Sequence, residues 1–139
     1  MNNFFFIENR IGLLKLFWGN KEEALEIFKS QLIVIQQNTN FKDQEQLNFN
    51  ILLNLSNSYI LLKKYDSALY YSKIGILKSL KNNKMNTYYE FLTQSGEILY
   101  HQNNFKMAID SLEKAAPSNV YQNDFLNNHY YRGKIYEKL

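Results

Sequence analysis

The sequence predicts an all-α protein of about seven helices. Apolar residues recur at steps of three and four nearly throughout, and no segment alternates strictly enough to be a strand. The breaks between these segments are short and polar, for example Gly19-Asn20, Lys63-Lys64 and Asn103-Asn104. One proline and five glycines in 139 residues argue against disordered, collagen-like and turn-rich β compositions.

The helices are predicted in chain order over residues 4–18, 21–37, 44–62, 66–81, 86–102, 105–116 and 121–139. The third helix carries one apolar face, made of Leu52, Leu55, Tyr59 and Leu62. The fourth carries the matching face, made of Ala68, Leu69, Ser72, Gly75 and Ile76. At this length we expect one domain over residues 1–139. Because the sequence stops inside a predicted helix, a fragment of a longer protein is the alternative to a complete chain.

Composition excludes several classes of function. Sixteen basic residues face thirteen acidic ones, and only Arg10 and Arg132 are arginines, so a DNA-reading surface is disfavoured. No apolar run approaches the roughly 20 residues that span a bilayer, so this segment is not expected to insert into a membrane. The absence of cysteine excludes disulfides, thiolate metal sites and a cysteine nucleophile. It fits both the cytoplasm, which we expect, and the periplasm, which would suit a membrane-anchored regulator.

An internal repeat organises the helices into pairs. The chain aligns on a small residue in the first helix of each pair, and these residues are Gly12, Ser56, Gly96 and Gly133. A second small residue follows twelve positions later in three of the units, and these residues are Ala24, Ala68 and Ala108. A small residue on each helix lets two backbones approach, so the spacing predicts a close helix–helix crossing in each pair.

This pattern resembles the tetratricopeptide repeat, a helix–turn–helix with the pattern W-x2-L-G-x2-Y, A-x3-F and a closing proline. The second unit matches with Leu52, Leu55, Ser56, Tyr59, Tyr65, Ala68 and Ser72. The third matches with Leu92, Ser95, Gly96, Leu99, Phe105, Ala108, Leu112 and Ala115. No unit has the closing proline in its usual place, and the period exceeds 34 residues. Such long repeats resemble those of bacterial sensory and regulatory proteins.

The resemblance implies a right-handed α-α superhelix of about three and a half hairpins, over residues 4–37, 44–81 and 86–116 with a final helix at 121–139. In that superhelix the first helix of each pair lines the concave side. Polar residues at helical spacing lie on that face of three helices: Asn50, Asn54 and Asn57; Glu90, Gln94, Glu97 and His101; and Asn127, Tyr131, Lys134 and Lys138. Tyr100 and Tyr130, beside this polar row, are the expected aromatic anchors.

The resemblance predicts a module that binds a peptide or protein segment in its concave groove, as the ligand-sensing or partner-binding part of a bacterial regulator. Side-chain amides suit a peptide because each offers two donors and an acceptor. The family's lysine and arginine clamp for a C-terminal carboxylate has no counterpart here, since Glu90 and Gln94 occupy the third unit. Two acids in the groove favour a basic or neutral segment. The alternatives are an ordinary solvated helix face, and a scaffold or homo-oligomerisation module without a small ligand.

No catalytic role, cofactor or metal is expected. His101 and His129 are the only histidines, and no HExxH, phosphate-binding loop or nucleophile elbow is present. Glu90 and Glu97 lie about 10 Å apart along a helix, which is too loose for paired carboxylates.

Both ends of the chain are rich in apolar residues. Phe4, Phe5, Phe6 and Trp18 are expected to cover the open end of the core, and the alternative is an exposed patch used for dimerisation or for docking more of a longer chain. The last helix carries more apolar surface than a solvated cap needs, in Leu126, Tyr130, Tyr131, Ile135 and Leu139. A lost neighbouring helix or a homodimer contact would explain the surface of the last helix, and a homodimer through the terminal helices would involve both ends.

Overall fold

The predicted all-α fold is confirmed. The structure is a computed structural model that describes residues 2–38, 40, 43–116 and 122–139. Over these ranges it contains seven α-helices and no strand. The helices are α1 (Asn2–Trp18), α2 (Lys21–Gln37), α3 (Gln44–Leu61), α4 (Tyr65–Lys81), α5 (Met85–His101), α6 (Phe105–Ala115) and α7 (Gln122–Lys138). Their bounds agree with the predicted ones to within two residues.

The chain divides into two compact units, Met1–Lys64 and Tyr65–Leu139. In the first unit α1 packs on α2, and α2 packs on α3. In the second, α4 packs on α5, α5 packs on α6, and α7 packs on both α5 and α6. Packing between consecutive helices is the arrangement of a helical-repeat protein. Because α3 and α4 belong to different units, the hairpin over 44–81, the single domain and the right-handed superhelix stay predictions.

Two of the predicted close crossings are present. A Cβ atom placed on Gly12 would lie 2.8 Å from the ring of Phe28, and one on Gly96 would lie 2.4 Å from Cγ of Leu112. Real Cβ contacts are longer, so at each crossing the bulky side chain occupies the space that a larger residue would need. Ala24 and Ala108 are fully buried. The repeated spacing therefore has the packing role that the sequence indicated in α1–α2 and α5–α6.

A third close approach was not predicted as such. A Cβ atom on Gly75 would lie 2.3 Å from the ring of Phe91, where α4 meets α5. The hydroxyl of Ser72 donates a hydrogen bond of 3.1 Å to the carbonyl of Phe91 at the same contact. Gly133 differs, because a Cβ atom there would meet no atom of the described residues within 4 Å. Of the four aligned positions, Gly133 thus has open space beside it.

Three turns are built alike, after α3, α4 and α5. Lys63, Asn83 and Asn103 adopt left-handed backbone conformations with φ of 57°, 55° and 60°. In each turn, the amide of this residue donates to the carbonyl three positions earlier, and the next amide donates to the carbonyl five positions earlier. This pair of hydrogen bonds is the Schellman motif, which satisfies the last carbonyls of a helix. Asparagine tolerates this conformation better than lysine does.

The aromatic residues of α1 do not all cover the core, contrary to the first expectation. Phe5 is buried, whereas Phe4 and Phe6 are exposed and Trp18 is 88% exposed. Consecutive residues on a helix point 100° apart, so three phenylalanines in a row cannot all face the same side. In α7, likewise, Ile135 is buried while Leu126 is exposed, and Leu139 after the helix is exposed as well.

Candidate functional site

The candidate site lies on α5 and α7 in the second unit. Beneath it is a core of Leu99, Ala108, Ile109, Leu112 and Ile135, which holds α7 against α5 and α6. Asn128 on α7 is 4% exposed and fixes the packing of these helices. Its side-chain amide donates to the carbonyl of Leu112 at 2.8 Å and lies 3.4 Å from the hydroxyl of Thr93. These contacts set the register of α7 along α5, and so bring Tyr131 beside Glu97 and His101.

We call Tyr65, Glu97, Tyr100, His101 and Tyr131 the tyrosine–acid cluster. The hydroxyl of Tyr131 donates a hydrogen bond of 2.9 Å to Oε1 of Glu97, and it lies 3.5 Å from Nε2 of His101. The His101 ring stacks on Tyr65, with centroids 5.1 Å apart and planes 8° apart. The rings of Tyr100 and Tyr131 pack with centroids 5.2 Å apart. The four rings of the cluster come from three helices, and the Glu97 carboxylate contacts one of them through the Tyr131 hydroxyl.

Burial dominates the electrostatics of this cluster. It raises the pKa of the Glu97 carboxyl, and the Tyr131 hydrogen bond and the nearby His101 oppose this rise only in part. Burial also raises the pKa of the Tyr131 hydroxyl, and the Glu97 carboxylate raises it further. The hydrogen bond and His101 therefore offset only part of the desolvation cost of an ionised Glu97, and a cation beside the carboxylate would be stabilised.

A second feature, which we call the polar pocket, opens between α5, the end of α6 and α7. It is lined by Tyr89, Glu90, Thr93, Ala115, Ala116, Phe125, Asn128, His129 and Arg132. Two buried polar atoms at this pocket, Oδ1 of Asn128 and Nε of Arg132, form no hydrogen bond with the described residues. A buried polar group without a partner is costly, and the cavity of about 10 Å³ beside these atoms has room for one water molecule.

The structure brings together only some of the predicted site residues. Glu97, Tyr100, His101 and Tyr131 meet in the tyrosine–acid cluster, and Glu90 lines the polar pocket. Next to the cluster, the ammonium group of Lys134 lies 5.7 Å from the centre of the exposed Tyr130 ring. Two predicted residues belong to neither the cluster nor the pocket. The Gln94 side chain is buried, and the Asn127 side chain is exposed to solvent.

The three predicted asparagines of α3 belong to the first unit. Asn50 is exposed and accepts a hydrogen bond of 3.0 Å from Gln46, while Asn54 and Asn57 are partly buried. A continuous groove that joins them to α5 and α7 stays a prediction.

Of the pocket lining only Glu90 was predicted, and three of the residues missed from the sequence matter most for the site. Tyr65 was recognised only as a repeat position, yet it stacks on His101. Asn128 and Arg132 were not selected, because the polar face of α7 was predicted at Asn127. The face that turns inward begins one residue later, at Asn128. Residues at i and i+4 share a helix face, so the spacing of Asn128 and Arg132 was the available signal.

Among the described side chains, no three histidine, aspartate or glutamate residues gather closely enough to hold a metal ion. None of the helices, over the residues that the structure describes, is both long enough and apolar enough to cross a membrane. Comparison with known proteins finds no matching family model, no matching curated protein and no matching solved structure.

Proposed function

We propose that this chain binds a protein or peptide segment on the face of α5 and α7, and that the tyrosine–acid cluster receives a lysine or arginine side chain of that segment. The observation that carries the proposal is the partly buried Glu97 carboxylate among aromatic rings. A carboxylate supplies an ion pair, and tyrosine rings attract cations through their faces. A basic side chain is thus the group that both parts of the cluster favour.

The state of Glu97 supports a cation rather than a neutral group. Tyr131 is its hydrogen-bond donor among the described residues, and it reaches only Oε1. Glu97 therefore keeps acceptor capacity, because a carboxylate offers two oxygens with about four lone-pair sites. A bound ammonium or guanidinium group would donate to this carboxylate and offset its desolvation.

The polar pocket supports a second contact of the same ligand. Glu90 lines this pocket and is partly exposed, and its carboxylate suits the N–H group of a ligand amide. Glu90 at the pocket and Glu97 in the cluster are seven residues apart on α5, which is about 10 Å at 1.5 Å per residue. An extended peptide advances about 3.3 Å per residue. The expected ligand therefore carries asparagine, glutamine or a main-chain amide about three residues from its lysine or arginine.

The proposal extends the tetratricopeptide resemblance and the function it implies, a partner-binding part of a bacterial regulator. A scaffold that assembles a protein complex would use the same surface. That this surface binds rather than catalyses stays a prediction.

Selection from a displayed library of random peptides tests this function. The library is enriched in parallel on the native chain, on Glu97→Gln and on Asp110→Asn, in which the same charge change lies on the exposed side of α6. Native and Asp110→Asn proteins are expected to enrich the same sequences, with a basic residue at a constant distance from an amide residue. Glu97→Gln is expected to lose the basic preference. Failure to enrich any sequence, or an identical basic preference with Glu97→Gln, would contradict the proposal.

A further inference from the structure

Helix α1 has two apolar faces, and the first unit covers only one of them. Phe5, Gly12 and Leu16 are buried. Five other large apolar residues form an exposed row along the helix, and we call Phe4, Ile7, Ile11, Leu14 and Trp18 the outer row. Their exposed fractions range from 42% at Ile11 to 88% at Trp18. Exposed apolar residues that form a continuous row, rather than isolated ones, mark an interaction surface.

The spacing of the outer row identifies the shape of its partner. The steps are three, four, three and four residues, which is the heptad pattern of a helix that packs along another helix. A row of this kind presents alternating knobs, and a second row of the same spacing fits between them. Another copy of α1 offers that row with equal length and equal composition, so the outer row is complementary to itself.

Charges beside the outer row favour an antiparallel pair. Glu8 follows Ile7 and Lys15 follows Leu14, so the two charges lie on the same flank of the row, one heptad apart. In an antiparallel pair this flank faces its own counterpart, and Glu8 of each copy approaches Lys15 of the other. In a parallel pair Arg10 would instead approach Lys15 of the other copy, which places like charges together. Lys15 already forms an ion pair with Glu23 within the chain, so in the antiparallel pair its ammonium group, which has three donors, is shared between Glu23 and Glu8 of the second copy.

The area available suits a weak dimer that dissociates on dilution. The outer row and the neighbouring Phe17, which is 63% exposed, supply six large side chains from each copy. Aromatic side chains alone bury 150–250 Å² each when fully covered, so two copies would remove on the order of 1,000 Å² of surface or more. This is near the lower end of stable protein–protein interfaces.

We propose that this chain forms a two-fold symmetric homodimer through an antiparallel pair of α1 helices. In this pair Ile11 packs against Leu14 of the second copy, and Ile7 packs against Trp18 of the second copy. The surface belongs to the first unit, and the tyrosine–acid cluster belongs to the second.

Light scattering over a dilution series tests the dimer. The native chain is expected to have twice the monomer mass of 16.6 kDa at micromolar concentrations and to dissociate on dilution. Leu14→Glu and Trp18→Glu are each expected to shift the midpoint of dissociation at least tenfold toward higher concentration. Leu77→Glu, at a residue of α4 that is 68% exposed, is the matched control and is expected to leave the midpoint unchanged. Circular dichroism verifies that each variant stays helical.

A monomer at every concentration would overturn the proposal, as would a dimer that both α1 variants leave intact. If the monomer instead sediments with phosphatidylcholine vesicles through α1, the occupant of the outer row is a lipid surface and the proposal also fails. An equal effect of Leu77→Glu would show nonspecific association and would overturn it as well.

Single introduced cysteines test the direction of the pair, because the native chain has none. In the antiparallel pair the two Trp18 positions lie about 16 Å apart along the axis, at 1.5 Å per residue. Trp18→Cys alone is therefore expected to form no disulfide-linked dimer, whereas a mixture of Ile7→Cys and Trp18→Cys chains is expected to form the mixed one. Rapid cross-linking of Trp18→Cys to itself, without the mixed product, would contradict the antiparallel arrangement.

Discussion

Lys63 adopts a conformation that L-residues other than asparagine and aspartate rarely adopt. Its φ of 57° in the Schellman turn after α3 matches those of Asn83 and Asn103 in the two later turns. The left-handed region costs an ordinary L-residue about 1–2 kcal/mol, whereas glycine enters it freely. We expect Lys63→Gly to raise the free energy of unfolding by about 0.5–1 kcal/mol, since greater freedom in the unfolded chain offsets part of the gain.

Urea unfolding of both variants, followed by circular dichroism, checks this prediction. Lys64→Gly is the control, because Lys64 is equally exposed and is not among the residues with positive φ. The control is expected to show no gain in stability. Equal effects of the two substitutions would contradict the explanation.

Glu97 links the stability of the fold to pH. Because burial raises its pKa in the folded state above the ordinary value of 4.5, the folded chain binds the proton more tightly than the unfolded chain does. Its contribution to stability is therefore complete below pH 4.5 and is lost as the pH rises through the folded-state pKa. Glu97→Gln keeps an acceptor for Tyr131 and removes the buried charge. At pH 7 we expect it to stabilise the fold by on the order of 1 kcal/mol.

Denaturant unfolding of the native chain and Glu97→Gln between pH 4 and pH 7 measures this difference. The two stabilities are expected to converge toward pH 4 and to separate as the pH rises. Asp110→Asn, on the exposed side of α6, is the matched control. A native chain that exceeds Glu97→Gln in stability at pH 7 would mean that the ionised carboxylate is fully compensated inside the fold.

The effect of replacing a helix glycine depends on whether another side chain packs against it. Gly75 lies against the buried ring of Phe91, whereas Gly133 has open space beside it. We expect Gly75→Ala to destabilise the fold by about 1–3 kcal/mol, because the added methyl group forces the ring or the helix to move. Gly133→Ala is expected to stabilise it by about 0.5–1 kcal/mol, because alanine is the better helix former. Thermal unfolding of both variants checks the opposite signs, and two effects of the same sign would contradict the packing account.

Helix positions follow from the sequence because periodicity and polar breaks are local signals. The crossings at Gly12 and Gly96 were predictable for a similar reason, since their spacing from Ala24 and Ala108 repeats. The close approach of Gly75 to Phe91 was not, although its spacing of sixteen residues equals those of Gly12 to Phe28 and Gly96 to Leu112. The repeat alignment compared small residues only and left Phe91 out. The direction of Asn128 was not predictable either, because a helix residue turns inward or outward according to the tertiary contacts of α7.

The site itself was predictable only in part. Glu97 and His101 were identified from their common helix face, and Tyr131 from the corresponding row on α7. Their contact depends on the register of α7 along α5, which the core residue Ile135 and the hydrogen bonds of Asn128 set. Neither a raised pKa nor an unpartnered donor can be recognised in a linear sequence, because both depend on burial.

In the whole molecule, the two proposed surfaces lie on different units. The outer row of α1 belongs to Met1–Lys64, and the tyrosine–acid cluster belongs to Tyr65–Leu139. We therefore expect the Trp18→Glu variant, which lacks the dimer contact, to bind a selected peptide with the same affinity per chain as the native protein. Fluorescence anisotropy with a labelled peptide measures this, and a tenfold loss of affinity in Trp18→Glu would show that dimerisation and binding are coupled.

Binding of a basic peptide at Glu97 is the central claim, and the affinity of one lysine-containing selected peptide tests it most directly. Its dissociation constant is measured for the native chain, Glu97→Gln and Asp110→Asn at pH 7 and two salt concentrations. We expect Glu97→Gln to weaken binding about tenfold or more, and Asp110→Asn to have little effect. Replacing the peptide lysine by norleucine is expected to weaken binding to the native chain by the same factor as Glu97→Gln does. The same replacement is expected to change binding to the Glu97→Gln variant hardly at all. Equal affinity of the native chain and Glu97→Gln for the lysine peptide would contradict the assignment of Glu97 as the cation-binding group.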